Sequence, residues 1–136
     1  MPTYSCIDAS LKTLNLTRFT KIESIEIEND CFVAVETFLI DGLNELKTIN
    51  IGNDSFCQNH YEMKQWKSFH ILNCESLESI RIGEFSFSDF SGDFELKNLP
   101  QLQSIQIGII GRGSGNFHYS SFVVQGIENI FKNLNG

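Results

Sequence analysis

Apolar residues recur along this chain on a fixed set of offsets. With Phe38, Phe69, Phe94 and Phe122 as origins, an apolar residue follows two places later at Ile40, Ile71, Leu96 and Val124. Another follows at five places (Leu43, Cys74, Leu99, Ile127) and another at eight (Leu46, Leu77, Leu102, Ile130). An earlier copy begins at Leu14, with Leu16, Phe19 and Ile22 on the same offsets. The second half of each unit reads apolar-x-x-Ile-x-Ile, as in Ile22-Ile25-Ile27, Leu46-Ile49-Ile51, Leu77-Ile80-Ile82 and Leu102-Ile105-Ile107. In the first three copies a Phe stands five residues beyond the last Ile, at Phe32, Phe56 and Phe87. The five starts, near 14, 38, 69, 94 and 122, are spaced by 24, 31, 25 and 28 residues, a period that marks a repeat architecture.

Each unit holds two short stretches of period-two alternation, such as Phe69-x-Ile71 and Ile80-x-Ile82, which predict two β-strands. Two strands cannot bury their inner face alone, but stacked copies enclose the Ile, Leu and Phe columns between two parallel ladders. The expected fold is mainly β: a right-handed solenoid of about five coils with two parallel sheets, forming one domain over residues 1–136. Gly52, Gly83 and Gly108 directly follow the Ile-x-Ile strands, where the chain is expected to turn a corner; Glu28 takes that place in the first copy.

The repeat fails where a stack needs closing. Beyond Ile130 the pattern calls for apolar residues and meets Asn133 and Asn135, whereas Ile127, Ile130, Phe131 and Leu134 fall on helical spacing. A short C-terminal capping helix over residues 127–136 is therefore predicted, with Gly136 suited to its end. Tyr4, Ile7 and Leu11 are the candidates for an N-terminal cap. Residues 57–68, CQNHYEMKQWKS, form the longest insert and carry Tyr61 and Trp66. Insertions of repeat proteins cluster on one face, often the binding face. Tyr61 and Trp66 are thus candidate contacts for a partner, with packing of Trp66 over the adjacent unit as the alternative.

The strings LESIRIG, LKTINIG and LQSIQIG resemble the leucine-rich-repeat strand signature L-x-x-L-x-L, and ILNCESLESIRIG over residues 71–83 resembles the BspA-like subclass. The resemblance covers residues 14–130. Its departures are irregular unit lengths, Gly where the family has Pro after the strand, and Leu or Ile at positions where the subclass has Cys. It implies a leucine-rich-repeat solenoid whose strand face or variable loops bind other macromolecules, and no catalytic residues to carry over. BspA-like members are often surface adhesins.

The formal net charge of −7 argues against nucleic acid and against anionic membrane surfaces as partners. The N-terminal stretch lacks a basic region followed by an apolar one, so a cytoplasmic location is expected for the chain as it stands. Cys6, Cys31, Cys57 and Cys74 form no CxxC pair, which fits reduced thiols. Twelve Phe against one Trp and three Tyr fit the repeated core positions.

Motifs of chemistry are sparse, and no cofactor or metal is expected. Cys57 and His60 lack a second ligand pair. Cys74 falls in an inward column, which suits a buried inert thiol. His70 and His118 have no Ser or Cys partner at a meaningful sequence spacing, and both are expected at the surface or at strand edges. Asp89 and Asp93 are expected in a turn, and Gly111-Arg112-Gly113-Ser114-Gly115 in a flexible connector. The sequons at Asn15 and Asn53 are consistent with chance matches in an Asn-rich chain.

What remains is the outward side of the Ile-x-Ile strands: one column of Ser24, Thr48, Ser79 and Ser104, and a second of Glu26, Asn50, Arg81 and Gln106. These ten residues, with Tyr61 and Trp66 counted among them, are the candidate binding positions. The expected function is a non-catalytic scaffold for protein–protein interaction. An extracellular adhesin fragment is the alternative, and a parallel β-helix carbohydrate-active enzyme is a third reading that lacks the clustered Asp or Arg it would need.

Overall fold

The computed structural model describes residues 11–56, 67–88, 90–108 and 121–126. Within them lie nine strands: β1 (Thr13–Asn15), β2 (Ser24–Ile27), β3 (Thr37–Asp41), β4 (Thr48–Ile51), β5 (Ser68–Leu72), β6 (Ser79–Ile82), β7 (Asp93–Lys97), β8 (Ser104–Ile107) and β9 (Ser121–Gln125). The chain alternates between two all-parallel sheets, one ordered β1-β3-β5-β7-β9 and the other β2-β4-β6-β8. Among the described residues there is no helix. The predicted cap over residues 127–136 and the N-terminal candidates Tyr4 and Ile7 lie outside the described residues, while Leu11 packs half-buried against the core.

Register follows the repeat offsets. Leu14, Phe38, Phe69, Phe94 and Phe122 pair in succession across the first sheet, and Ile25, Ile49, Ile80 and Ile105 do so across the second. A one-residue slip would turn every inward side chain outward, so the shared offsets leave one register in which all units bury their apolar set. Burial alternates accordingly, with Phe38 and Ile40 fully buried between half-exposed neighbours in β3.

The side chains of both sheets join one hydrophobic cluster. Its centre is aromatic. Phe38, Phe69 and Phe94 stack at 5.0 Å between centroids, close to the ~4.8 Å spacing of neighbouring strands. Phe32, Phe56 and Phe87 form a second stack, at 5.4 and 4.5 Å. The two stacks meet edge to face, with Phe38 at 84° to Phe56 and Phe69 at 82° to Phe87. That arrangement puts ring edges of one column against ring faces of the other, the favourable contact for aromatic quadrupoles.

Two kinds of corner join the strands. After the first sheet, Gly42, Asn73, Asn98 and Gly126 occupy equivalent places with φ of 76, 54, 56 and 69°, and Gly and Asn are the residues that tolerate this left-handed backbone. Asn98 donates to Asn73 Oδ1 at 2.8 Å and Asn73 donates to Asp41 Oδ1 at 2.9 Å, so side-chain amides tie successive corners together.

The corner after the second sheet follows the sequence expectation at Gly108, whose φ is 72°, and departs from it in the two earlier copies. Gly52 and Gly83 do not carry the left-handed conformation; Asp30 and Phe32, Asp54 and Phe56, and Phe85 and Phe87 do, with φ between 56 and 61°. Gly is required for closeness instead. A Cβ on Gly83 would strike Asn53 Oδ1 and sit 2.6 Å from the Gly52 carbonyl carbon, and one on Gly52 would strike Asn29 Oδ1 and sit 2.8 Å from the Asn29 nitrogen. Asn29 and Asn53 hold that space because Asn29 Oδ1 accepts from the Asn53 amide at 2.7 Å and Asn53 Oδ1 from the Glu84 amide at 2.9 Å. Beneath them Ser55 Oγ accepts from the Cys31 amide at 3.2 Å and donates to the Glu28 carbonyl at 2.7 Å, while Ser86 Oγ accepts from the Ser55 amide at 3.0 Å. The left-handed conformation of a Phe costs about 1–2 kcal/mol; the full burial of Phe56 and Phe87 in the aromatic stack holds it.

Phe19 is a second departure. The repeat places it inward, but it is 50% exposed, whereas Leu43, Cys74 and Leu99 at the equivalent place are buried. Each buried member of that column belongs to a unit with strands paired on both sides in the first sheet; β1 of the first unit pairs with β3 alone among the described strands. Val124, also expected inward, is 40% exposed on β9, the last described strand.

Candidate binding face

Ile25, Ile49 and Ile80 are driven inward, and strand alternation therefore turns Glu26, Asn50 and Arg81 out of the second sheet in direct register. Gln106 extends the column on β8. These four residues line a shallow open groove of about 730 Å³, whose far wall is the corner carrying Glu28, Asn29, Asn53 and Glu84. The Asn50 amide donates to Glu26 Oε1 at 2.9 Å, fixing one end of the floor. Among the described residues three carboxylates, Glu26, Glu28 and Glu84, face one cation, Arg81, so this lining is polar and acidic.

The structure thus gathers Glu26, Asn50, Arg81 and Gln106 into one feature. Ser24, Thr48, Ser79 and Ser104 form the predicted neighbouring column by register but do not line the groove. Tyr61 and Trp66 lie outside the described residues, as do His60, Cys57, Asp89, His118 and the Gly-rich segment 111–115. Asp93, expected in a turn, opens β7 instead.

The outer face of the first sheet holds a grouping that sequence reading missed. His70, expected to stand without a Ser partner, has its Nε2 3.0 Å from Ser68 Oγ and its Nδ1 2.5 Å from Glu95 Oε1. The other oxygen of Glu95 meets Lys97 Nζ at 3.0 Å. Residues two apart on a strand share a face, and the 25-residue offset that pairs Phe69 with Phe94 also pairs His70 with Glu95. The Ser68-x-His70 spacing carried the first contact and the repeat alignment the second. The Lys97 ammonium chiefly holds the Glu95 carboxyl below its ordinary range; burial opposes it, and the His70 contact adds to the lowering.

Cys74 is fully buried and its thiol donates to the Leu72 carbonyl at 3.4 Å; desolvation pushes its pKa up, which makes it a poor nucleophile. Lys67, a buried cation, has its Nζ 5.7 Å from the Phe90 ring centroid. Among the described residues no three His, Cys, Asp or Glu side chains group as metal ligands, and no helix is long and apolar enough to cross a membrane. Comparison of the chain with protein-family models, curated proteins and solved structures finds no match.

Proposed function

We propose that this chain is a binding scaffold of the leucine-rich-repeat type, a right-handed solenoid walled by the two parallel sheets, that captures a partner protein across the outer face of the second sheet. One observation carries the reading: Glu26, Asn50, Arg81 and Gln106 come from four consecutive units yet stand in one register-locked column that floors an open groove. A parallel ladder presents its outward side chains at a fixed pitch of ~4.8 Å, so the partner meets a preorganised row and little ordering entropy is lost on binding. Arg81 is the expected anchor. Among the described residues it is the groove's one cation, and a planar five-donor guanidinium suits bidentate recognition of carboxylate or backbone oxygen.

The test is affinity capture with the full chain as bait, combined with a photocrosslinker placed at Asn50. A single protein crosslinked through Asn50, with binding weakened about 30-fold or more by Arg81→Glu, is the expected result. Capture that persists unchanged in Arg81→Glu and in Asn50→Ala, with crosslinks elsewhere, would move the binding site off this face.

A further inference from the structure

We propose that Ser68 is an activated nucleophile that takes the acyl group of an activated ester, with His70 as its base and Glu95 as the positioning residue for the imidazole. This goes beyond the scaffold reading and uses the opposite sheet, so the two stand or fall separately. An ionised carboxylate only accepts hydrogen bonds; Glu95 Oε1 at 2.5 Å from Nδ1 therefore places the imidazole proton there. Nε2 is left as an acceptor, and the Ser68 hydroxyl 3.0 Å away is its donor. Nucleophile, base and orienting acid within hydrogen-bond reach, in that order, is the arrangement that activates a serine. Lys97 on the far oxygen of Glu95 keeps the carboxylate ionised and its rotamer fixed. The side chains of His70 and Glu95 are about one-fifth exposed, so the group is held by its neighbours yet open to a small reagent.

In the step, Ser68 Oγ bonds to the acyl carbon, the Ser68 proton passes to His70 Nε2, and the ester C–O bond breaks. The leaving alkoxide or phenolate takes the proton from His70. Water attacking the acyl-serine with His70 again as base would release the acid and restore Ser68. The Ser68 amide is already committed to the Glu36 carbonyl at 2.8 Å and cannot stabilise an oxyanion. Acylation is therefore expected to outrun hydrolysis, leaving one acyl group per chain rather than rapid turnover.

The experiment incubates the full chain with p-nitrophenyl acetate, and separately with an alkyl fluorophosphonate, and reads adducts by peptide mass spectrometry. Ser79 and Ser104, outward hydroxyls on the other sheet, are internal references, since His70 is the one histidine among the described residues. Ser68 is expected to label about 100-fold faster than either, the low end of what a positioned base contributes. His70→Asn should abolish that preference with the circular dichroism melt unchanged. Glu95→Gln should slow labelling and displace the inflection of its rate against pH; besides Glu95, the charged groups that face this part of the sheet among the described residues are Asp93 and Lys97 on β7 and Asp41 on β3. Labelling of Ser68 no faster than Ser79 and Ser104 in the unaltered chain, or a rate indifferent to His70→Asn, overturns the proposal.

Discussion

Replacing Gly83 by alanine adds one methyl group, and the structure says where it must go. The new Cβ would collide with Asn53 Oδ1, lie 2.6 Å from the Gly52 carbonyl carbon and 2.7 Å from the Asn53 nitrogen. Two of those three neighbours are backbone, so rotation of a side chain cannot clear the space. Gly83 is outside the left-handed region; alanine there meets no conformational penalty and, by restricting the unfolded chain, would by itself stabilise by about 0.4–1 kcal/mol. Against this stand about 1–3 kcal/mol for overpacking and about 1 kcal/mol for weakening the bond from the Glu84 amide to Asn53 Oδ1. The balance is a loss of about 2 kcal/mol, which corresponds to a fall of about 8 °C in Tm at roughly 4 °C per kcal/mol. Gly42→Asn is the matched control: Gly42 has φ of 76° with nothing near its missing Cβ, and Asn already serves the equivalent corners at 73 and 98. Urea and thermal melts followed by circular dichroism should show Gly83→Ala clearly destabilised and Gly42→Asn within about 0.5 kcal/mol of the starting protein. A Gly83→Ala protein that melts at or above the wild-type temperature refutes the close-approach account of this corner.

Other substitutions probe the core, the polar ladder and the charged cluster. Phe87→Ala removes a buried ring in contact with Phe38, Phe56, Phe69 and Phe90 and should cost about 3–5 kcal/mol in equilibrium unfolding, while Phe85→Ala, 39% exposed, should cost far less. Ser55→Ala strands the Cys31 amide and the Glu28 carbonyl, and a loss of about 1–3 kcal/mol is expected, with faster hydrogen exchange at the Cys31 amide as the local signature. Because the folded carboxyl of Glu95 titrates below its ordinary value, its contribution is present above the unfolded value of ~4.3 and lost as pH falls through the lower folded value. Wild-type stability should therefore exceed that of Glu95→Gln near neutral pH and converge with it as pH falls below the ordinary carboxylate range; a gap independent of pH would show that the ion pair is not its source.

The periodic pattern by itself determined the strands, their pairing into two parallel sheets and their register, since period-two alternation repeated on common offsets leaves one alignment that buries Phe38, Phe69 and Phe94 together with Ile25, Ile49 and Ile80. It also placed Glu26, Asn50, Arg81 and Gln106 on one outward column, because strand sidedness is a property of local sequence once the inward set is known. Contacts between units were decided only in three dimensions. The glycines after the second sheet looked like turn residues, and Gly108 is one, yet Gly52 and Gly83 are there because an asparagine from the neighbouring unit fills the place of their side chains, and phenylalanines carry the strained backbone instead. Phe19 matches the inward pattern but stays exposed, because burial depends on what a neighbouring unit covers and not on the residue's own offset. Ser68 and His70 share a face of β5 by their two-residue spacing, but the stacking of β5 against β7 is what adds Glu95, 25 residues on, to the group.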